Sequence, residues 1–373
     1  MSKNKNKNLN ELPLREREEE KARRRKVARL RGAGRFINRI LGILVVTGIV
    51  IGCAGLALEY ILLKGPSPAL RETFAMTMFE TRRFTWMPNI FLTEDEVSEL
   101  RSARNGHVEE EFDASLITIA PKAEETGEAD PNEPKALNAY GDIDEDGDGI
   151  ILTEVSGSTY VGYMITLLDS SRLFVGMPDG YGGMGLTLEE MCLKYDARGG
   201  INAGGFADKD GTGSGGLPDG LTIVGGVCYN EGGNMGHAFV GIGEDGILHI
   251  GYYTYDDAVN MGIRDGISFG PVLIYNGKAQ DISKIPSGLN PRTAIGQRAD
   301  GAVLLLVIDG RQVHSLGATY QDVIDIMLDF GAINACNLDG GSSTTMWMDG
   351  DYVNSCSSEN GRGRPLPDAF LFS

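Results

Sequence analysis

The chain has 373 residues, enough for one large domain or two small ones, and a formal net charge of −18. Residues 1–35 hold thirteen Lys or Arg against five Asp or Glu, a charge of +8, so the remainder carries −26. The strong negative charge of residues 36–373 argues against nucleic acid as a partner, because the phosphate backbone of a nucleic acid binds to positively charged surfaces.

An apolar segment separates the basic part from the acidic part. Residues 40–63 read ILGILVVTGIVIGCAGLALEYILL, with Glu59 as their only charge. A helix of this length can cross a hydrocarbon core of about 30 Å. Four arginines lie between positions 29 and 39, and the positive-inside rule assigns such a flank to the cytoplasm. We predict an uncleaved signal anchor; the alternative is a signal peptide, whose apolar core is usually shorter and is followed by a small-residue cleavage site.

This reading divides the chain into four parts. Residues 1–39 are predicted to be a cytoplasmic basic tail and residues 40–63 the transmembrane signal anchor. Residues 64–141 form an extracytoplasmic stalk and acidic linker, because they are rich in acids and prolines. Residues 142–373 form the folded domain. The protein is thus predicted to be a single-pass protein of the cell membrane, with the C-terminal domain outside the cytoplasm.

The folded domain alternates short apolar runs with glycine-rich turns. Two helices are predicted to begin at Thr187 and Thr319, each with an acid three residues later, as in a capping box. The candidate strands are 160–168, 172–175, 221–229, 238–242, 247–253, 267–275, 302–308 and 332–338. We therefore predict an α+β fold: a mixed, strand-rich sheet domain with a few packed helices, preceded by one transmembrane helix.

An acidic run opens the domain and is similar to a calcium loop. Its carboxylates alternate before a glycine, and the candidate ligands are Asp142, Asp144, Asp146 and Asp148. Counted from Asp142, the twelfth position is Thr153, so the acid that normally closes such a loop is missing. The alternative is the acidic end of a linker. Calcium is the one cofactor that the sequence allows, and none is required.

Cysteine spacing gives little support to a metal site. Four cysteines lie outside the apolar segment, widely separated and without a CxxC pair. One or two disulfides are compatible with an extracytoplasmic domain, and so are four free thiols.

Two glycine-rich turns carry the polar groups that suit a sugar or phosphate ligand. The run 337–345 places Asp339 after an apolar strand and follows it with two glycines and four hydroxyl residues. The run 199–206 places Asn202, which offers both a donor and an acceptor, before Gly204 and Gly205. Glycine lets backbone N–H groups approach a ligand closely, although tight turns between strands use the same residues.

Single arginines and one histidine complete the candidate set. Arg292, Arg311 and Arg364 lie at turn or strand-start positions, and the planar guanidinium is the preferred clamp for a phosphate. Each one, taken alone, also suits a surface ion pair. His237 follows a glycine cluster at a strand start and is the best candidate for a functional histidine.

These pieces, in this order, resemble the phosphodiester glycosidase family. The resemblance covers residues 155–373 and rests on the segments 200–206, 292–296, 309–311, 337–344 and 364–365. The family often has three glycines after the aspartate, whereas this chain has Ser342 in the third place. Bacterial members are often labelled exopolysaccharide biosynthesis proteins.

The resemblance implies hydrolysis of a sugar-1-phosphodiester at the anomeric C1–O bond, on an envelope or exopolysaccharide glycan. The expected partners are a phosphorylated glycan and, through one helix, the membrane. We expect Asp339 and Asp309 to be the catalytic pair, because glycosidases usually use two carboxylates. The substrate-binding residues are expected to be Asn202, Gly204, Gly205, Phe206, His237, Arg292, Arg311, Asn337, Gly340, Gly341, Ser342, Ser343 and Arg364.

Three alternatives stay open at this point. The same polar turns would serve a non-catalytic glycan-binding or polymer-assembly module tethered to the membrane. A phosphodiesterase would break the P–O bond instead of the C1–O bond. Ser342 or Ser343 with a histidine and Asp339 would make a hydrolase triad, although the sequence contains no GxSxG elbow.

Overall fold

A computed structural model describes two compact units, Met1–Glu94 and Asp95–Ser373. The described residues are 13–68, 87–93, 111–119, 139–141, 143–206, 214–232, 237–283, 285, 287–358 and 361–373, with a few single residues between 70 and 97. Residues 1–12 of the predicted basic tail and most of the predicted linker lie outside them.

The first unit is built on one long helix, α1 (Leu14–Lys64). Its portion Asn38–Lys64 is long and apolar enough to cross a membrane, a test that a signal sequence also passes. The helix ends where Gly65 adopts an extended conformation, and the Tyr60 ring meets Phe91 edge-on at 5.5 Å. The predicted apolar helix is therefore present, and it continues without a break into the basic residues before it.

The second unit contains many short strands and three helices among its described residues. The helices are α2 (Leu188–Tyr195), α3 (Tyr255–Asn260) and α4 (Tyr320–Asp329). The strands are β1 (Ile150–Ser156), β2 (Val161–Leu167), β3 (Leu173–Gly176), β4 (Gly199–Asn202), β5 (Thr222–Val224), β6 (Val227–Asn230), β7 (His237–Gly243), β8 (Leu248–Tyr253), β9 (Ile263–Ser268), β10 (Val272–Tyr275), β11 (Lys278–Ala279), β12 (Arg292–Arg298), β13 (Val303–Ile308), β14 (Ala332–Leu338), β15 (Met346–Met348), β16 (Asp351–Tyr352) and β17 (Ala369–Phe372).

The strands form three sheets. The largest has the order β1-β2-β13-β12-β14-β10-β11, and two five-stranded sheets have the orders β16-β15-β4-β17-β3 and β6-β5-β9-β7-β8. Each described pair of strands is antiparallel. The strand-rich α+β fold predicted from the sequence is confirmed.

Each residue of the strand β13 is apolar because both faces of the strand are buried. Its residues alternate between two clusters: Val303, Leu305 and Val307 enter the cluster shared with the smaller sheets, and Leu304 and Leu306 enter the cluster under α4. A strand covered on both faces needs apolar residues at every position, whereas a half-exposed strand alternates with polar ones. The largest sheet is thus the middle layer of the domain.

Both predicted helix starts are confirmed as capping boxes. The Thr187 and Thr319 hydroxyls accept hydrogen bonds from the backbone N–H groups of Glu190 and Asp322, whose carboxylates bond back to the caps. A third capping box, at Thr254, begins α3 and was not predicted. Two predicted strands are split: 221–229 turns at Gly225–Gly226, both with positive φ, and 267–275 is interrupted at 269–271.

Part of the predicted linker packs on the domain. The ring of Phe112 lies 4.9 Å from that of His249, and Ile117 is buried. The Thr118 N–H donates to the Ala299 carbonyl at 2.8 Å. Apolar side chains at 112, 117 and 119 pack this segment on the domain. The acidic composition of the whole region predicts a linker, so these three apolar positions did not stand out in the sequence.

Candidate active site

Three strand ends meet beside Asp339. The strand β14 ends at Leu338, and the Asp339 N–H donates to the Ala203 carbonyl at 3.0 Å, just beyond the end of β4. The strand β17 pairs with β4 so that Ala369 lies opposite Asn202. Asp368, the residue before β17, therefore lies at the same junction. Segments about 140 and 30 residues from Asp339 along the chain are brought together by sheet pairing.

Asn202 fixes the backbone of this junction. Its Nδ2 donates to the Asp339 carbonyl at 2.6 Å, and its Oδ1 accepts from the Thr345 N–H at 3.1 Å and the Thr293 hydroxyl at 2.8 Å. The side chain is fully buried. These three bonds use its polar atoms inside the protein and shape the turn. Its contact with substrate stays a prediction.

The turn after Asp339 needs both of its glycines. A Cβ at position 340 would lie 2.8 Å from the Pro291 carbonyl oxygen, and Gly341 has a φ of +66°. The Gly341 N–H donates to that same carbonyl at 3.0 Å. Gly340, Gly341 and Ser342 stay partly exposed, whereas Ser343 is buried. The first part of the turn is thus the part that a ligand can reach.

Arg311 lies across this turn. Its Nη1 is 3.3 Å from the position that a Cβ would take at Gly341, and its Nη2 donates to Asn290 Oδ1 at 3.0 Å. The residue is exposed and has a φ of +58°. Of the three predicted arginines, Arg311 is the one placed against the glycine turn with an exposed side chain.

Arg292 is directed elsewhere. Its neighbour Thr293 points toward Asn202, so alternation along β12 turns Arg292 to the opposite face of the sheet. There its guanidinium donates to the carbonyls of Ala318 and Gly288 at 3.0 and 2.8 Å and stacks 4.0 Å above the Tyr320 ring. The residue is buried. These contacts use the guanidinium in packing under α4. Its role as a phosphate clamp stays a prediction.

Arg364 and Phe206 form the other flank of the junction. The guanidinium of Arg364 lies 4.3 Å from the centre of the Phe206 ring, a cation–π contact. Phe206 follows Gly204 and Gly205 and bridges to Pro218. A Cβ at position 205 would lie 3.1 Å from the Phe269 ring. The structure thus places Gly204, Gly205, Phe206 and Arg364 along one edge of the junction.

Asp368 is the residue that the sequence analysis missed. Its Oδ1 accepts from the Gly204 N–H at 2.5 Å, and the side chain is 1 % exposed. Burial raises the pKa of Asp368 to about 7; the Gly204 N–H acts in the opposite direction, and the charge of Asp339 adds to the rise. Asp368 lies three residues beyond the 364–365 motif and is not part of it, so its neighbours in space reveal it.

Asp309 organises a neighbouring loop. Its Oδ1 accepts from Asn354 Nδ2 at 2.9 Å and its Oδ2 from the Ser355 N–H at 3.1 Å, with His314 Nε2 3.4 Å away. Asn354 in turn accepts from the Met346 N–H at 2.8 Å. Asn354 therefore links Asp309 to Met346, the first residue of the strand β15 that follows the Asp339 turn. These contacts fix the loop around Asn354 and Ser355. The catalytic role of Asp309 stays a prediction.

Three other predicted site residues have less direct places. Asn337 is buried and donates to the Gly270 carbonyl at 2.9 Å, which ties β14 to the segment before β10. The Ser342 carbonyl accepts from the Cys356 thiol at 3.6 Å. His237 begins β7 opposite Tyr253, and its side chain lies outside the described parts. The role of each in substrate binding stays a prediction.

The calcium-like loop is a separate feature. The carboxylates of Asp144, Asp146 and Asp148 have oxygens within 4.8 Å of one another, and Asp142 lies outside the described residues. Asp148 forms an ion pair with Arg198, and Asp144 accepts from the Gly147 and Gly149 N–H groups at 2.9 and 3.0 Å. These partners take part of the oxygen capacity that a calcium ion needs, and calcium binding stays a prediction.

The cysteines are all free in the structure. Cys192, Cys336 and Cys356 are buried, Cys228 is half-buried, and Cys53 lies exposed in α1. Burial raises the pKa of Cys192 to about 12, so this thiol is uncharged at neutral pH. Of the two possibilities that the spacing left open, the structure has the free thiols.

The sequence of the domain is similar to those of known proteins. The sequence model described as "Phosphodiester glycosidase" matches residues 195–373. The chain is 33 % identical over 183 residues to the SPbeta prophage-derived uncharacterized protein YomE of Bacillus subtilis (strain 168), covering 46 % of this chain and 27 % of that protein. It is 27 % identical over 217 residues to the human N-acetylglucosamine-1-phosphodiester alpha-N-acetylglucosaminidase, covering 51 % of this chain and 40 % of the enzyme.

A solved structure supports the fold. The catalytic domain of zebrafish N-acetylglucosamine-1-phosphodiester alpha-N-acetylglucosaminidase, auto-inhibited by its pro-peptide, superimposes with a TM-score of 0.50 at 23 % identity. The match covers 60 % of this chain and 81 % of that domain. The chain spans less than half the length of the two sequence relatives named above. The resemblance to the phosphodiester glycosidase family is thus confirmed over residues 195–373, which contain Asn202, Asp339 and Asp368.

Proposed function

We propose that the C-terminal domain hydrolyses the C1–O bond of sugar-1-phosphodiester linkages in an envelope or exopolysaccharide glycan. The observation that carries this proposal is the meeting of Asp339 with the glycine turns at Gly204 and Gly340, flanked by Arg311 and Arg364. An acid for the sugar and cations for the phosphate thus lie at one junction. The sequence relatives that are named as phosphodiester glycosidases support the reaction class.

The chemistry needs few groups. Cleavage at C1 develops positive charge on the sugar, and a carboxylate beside C1 stabilises that charge. Asp339 is the partly exposed acid at the junction, so we assign it this task. The leaving group is a phosphomonoester, which accepts negative charge readily, so it needs less protonation than an alcohol. Water supplies the hydroxyl at C1 and the proton that is released.

The two flanking arginines are assigned to the phosphate. Arg311 is exposed over the Gly341 turn, where its guanidinium can neutralise the charge that develops on the leaving oxygen. Arg364, stacked on Phe206, lies beside the Gly204 turn and suits the sugar-side oxygens or the rest of the phosphate. Asp309 is assigned the indirect role of fixing the loop at Asn354 and Ser355.

We further propose that the domain works outside the cytoplasm, held by α1. The apolar portion Asn38–Lys64 and the arginines before it support an anchor with its N-terminus in the cytoplasm. An enzyme placed there meets capsule or teichoic-acid-type polymers, in which sugars are joined through phosphodiesters.

Hydrolysis of a synthetic sugar-1-phosphodiester in ¹⁸O-labelled water by the full-length protein tests the reaction. Label in the released sugar means C1–O cleavage, as proposed. Label in the phosphate would mean P–O cleavage and would replace the proposal with a phosphodiesterase. Binding of phosphoglycans without turnover, over a broad panel, would favour the glycan-binding module instead.

A further inference from the structure

Asp368 is a buried acid with one unsatisfied oxygen at the junction of the site. Its Oδ1 has the Gly204 N–H as a donor, and its Oδ2 has no hydrogen-bond partner among the described residues. A charged carboxylate with a single neutral donor costs far more free energy to bury than a neutral carboxyl group in the same place. The geometry around Asp368 therefore favours the protonated acid.

Gly204 shows how tightly this acid is built in. A Cβ at position 204 would lie 2.8 Å from Oδ1 and 3.0 Å from Oδ2 of Asp368. The carboxyl group thus lies flat against the glycine backbone, one residue beyond the Ala203 carbonyl that receives the Asp339 N–H. Asp368 and Asp339 are held by adjacent residues of the same turn.

We propose that Asp368 is a positioning residue that acts in its neutral form, holding the Gly204 turn in place so that Asp339 alone carries the negative charge of the site. This assignment rests on the proposed hydrolysis of sugar-1-phosphodiesters. It differs from the usual glycosidase pair because the second acid does not touch the substrate: its side chain is 1 % exposed and acts through Gly204.

The ionisation of Asp368 makes the activity of the enzyme depend on pH. Burial holds the pKa of Asp368 at about 7, and the negative charge of Asp339 adds to the rise. Asp339 is the charged residue shown to act on Asp368 in the described part of the chain. Above this pH Asp368 ionises, and a second negative charge then lies beside Asp339 and the anionic phosphodiester. Substrate binding weakens, so kcat/KM falls on the alkaline side.

The test is the pH profile of kcat/KM for wild type and Asp368→Asn, in the full-length protein. The amide keeps an oxygen to accept from the Gly204 N–H and cannot ionise. We expect Asp368→Asn to be active at low pH and to lack the alkaline limb. At two pH units above its pKa only about 1 % of Asp368 is neutral, so the variant should exceed wild type there by at least about tenfold.

Asp265→Asn is the control. Asp265 is also buried, also accepts from a glycine N–H (that of Gly225, at 2.7 Å), and lies on β9 in a different sheet, where Arg264 pairs with its second oxygen at 2.8 Å. Its profile should keep the alkaline limb. Two results would overturn the proposal: a folded Asp368→Asn protein that is inactive at every pH, and one whose alkaline limb matches that of wild type.

An activity-independent measurement separates this proposal from the proposed function. ¹³C NMR of the aspartate carboxyl groups, with the Asp368 signal assigned by its loss in Asp368→Asn, follows the ionisation directly. A midpoint near pH 7 supports the proposal even if no phosphodiester tested is cleaved, in which case the proposed function alone fails. A midpoint below about 4, the ordinary range for aspartate, would contradict it.

Discussion

The carboxyl group of Asp368 accepts a hydrogen bond from the backbone N–H of Gly204 at 2.5 Å. This contact joins the glycine turn after β4 to the residue before β17, 164 positions later in the chain. The same turn receives the Asp339 N–H at the Ala203 carbonyl. The adjacent residues Ala203 and Gly204 thus hold both acids in place.

Gly204→Ala should destabilise the domain and reduce activity. The new Cβ would lie 2.8 Å from Asp368 Oδ1, inside contact distance, and the buried acid has little room to move. We expect a loss of about 1–3 kcal/mol in the free energy of unfolding, measured by chemical denaturation. Gly288→Ala is the control, because among the described residues its Cβ would meet only Asn290 Nδ2, at 3.7 Å. Equal stability of the two variants would contradict the packing described here.

The stability of the domain should fall as pH rises from about 4 to about 7. Asp368 has a raised pKa in the folded state, so the folded protein binds a proton that the unfolded chain has released in this range. Its contribution is therefore complete below the unfolded pKa and is lost as pH rises through the folded value. The effect should be on the order of a few kcal/mol and absent in Asp368→Asn. A variant with the same pH dependence as wild type would rule out Asp368 as its source.

Arg311 and Arg292 should behave in opposite ways. Arg311→Ala removes an exposed guanidinium over the Gly341 turn, so kcat/KM should fall at least about tenfold with little change in Tm. Arg292→Ala removes a buried guanidinium that bonds to two carbonyls and stacks on Tyr320, so Tm should fall by several degrees. If Arg292→Ala kept its stability and lost phosphodiester binding, the original assignment of Arg292 to the phosphate would be restored.

Asp309 and Asn354 should be energetically coupled. Asp309→Asn would set an amide N–H₂ against either the Asn354 Nδ2 or the Ser355 N–H, and each is a donor. The single variants should each cost about 1–3 kcal/mol, and the double variant less than their sum. Additive losses in a double-mutant cycle would show that Asp309 does not act through Asn354.

The general form of this fold could be predicted from local patterns. Apolar runs such as 302–308 and 332–338 identify buried strands, and Thr187 and Thr319 with an acid three residues later identify two helices. The sequence predicts a glycine-rich turn where β4 lies, because Gly199-Gly200 has weak strand propensity and its burial depends on partners at 346–348 and 369–372.

The sequence predicts the backbone turns of the site better than the directions of its side chains. Motifs identify the turns, because Gly340 and Gly341 are required by close backbone approach and positive φ. They do not show where a side chain points, so the hydrogen bonds that Arg292 and Asn202 form within the protein could not be predicted from them. Asp368 lies outside the 364–365 motif, and its position beside Gly204 arises from the register of β17 against β4.

Turnover of a sugar-1-phosphodiester by full-length wild type and Asp339→Asn tests the central assignment most directly. Asp256→Asn, an exposed aspartate in the first turn of α3, serves as the matched control. We predict that wild type and Asp256→Asn release sugar at similar rates, and that Asp339→Asn, while folded, loses at least about a hundredfold in kcat. Equal turnover by wild type and Asp339→Asn would contradict the account.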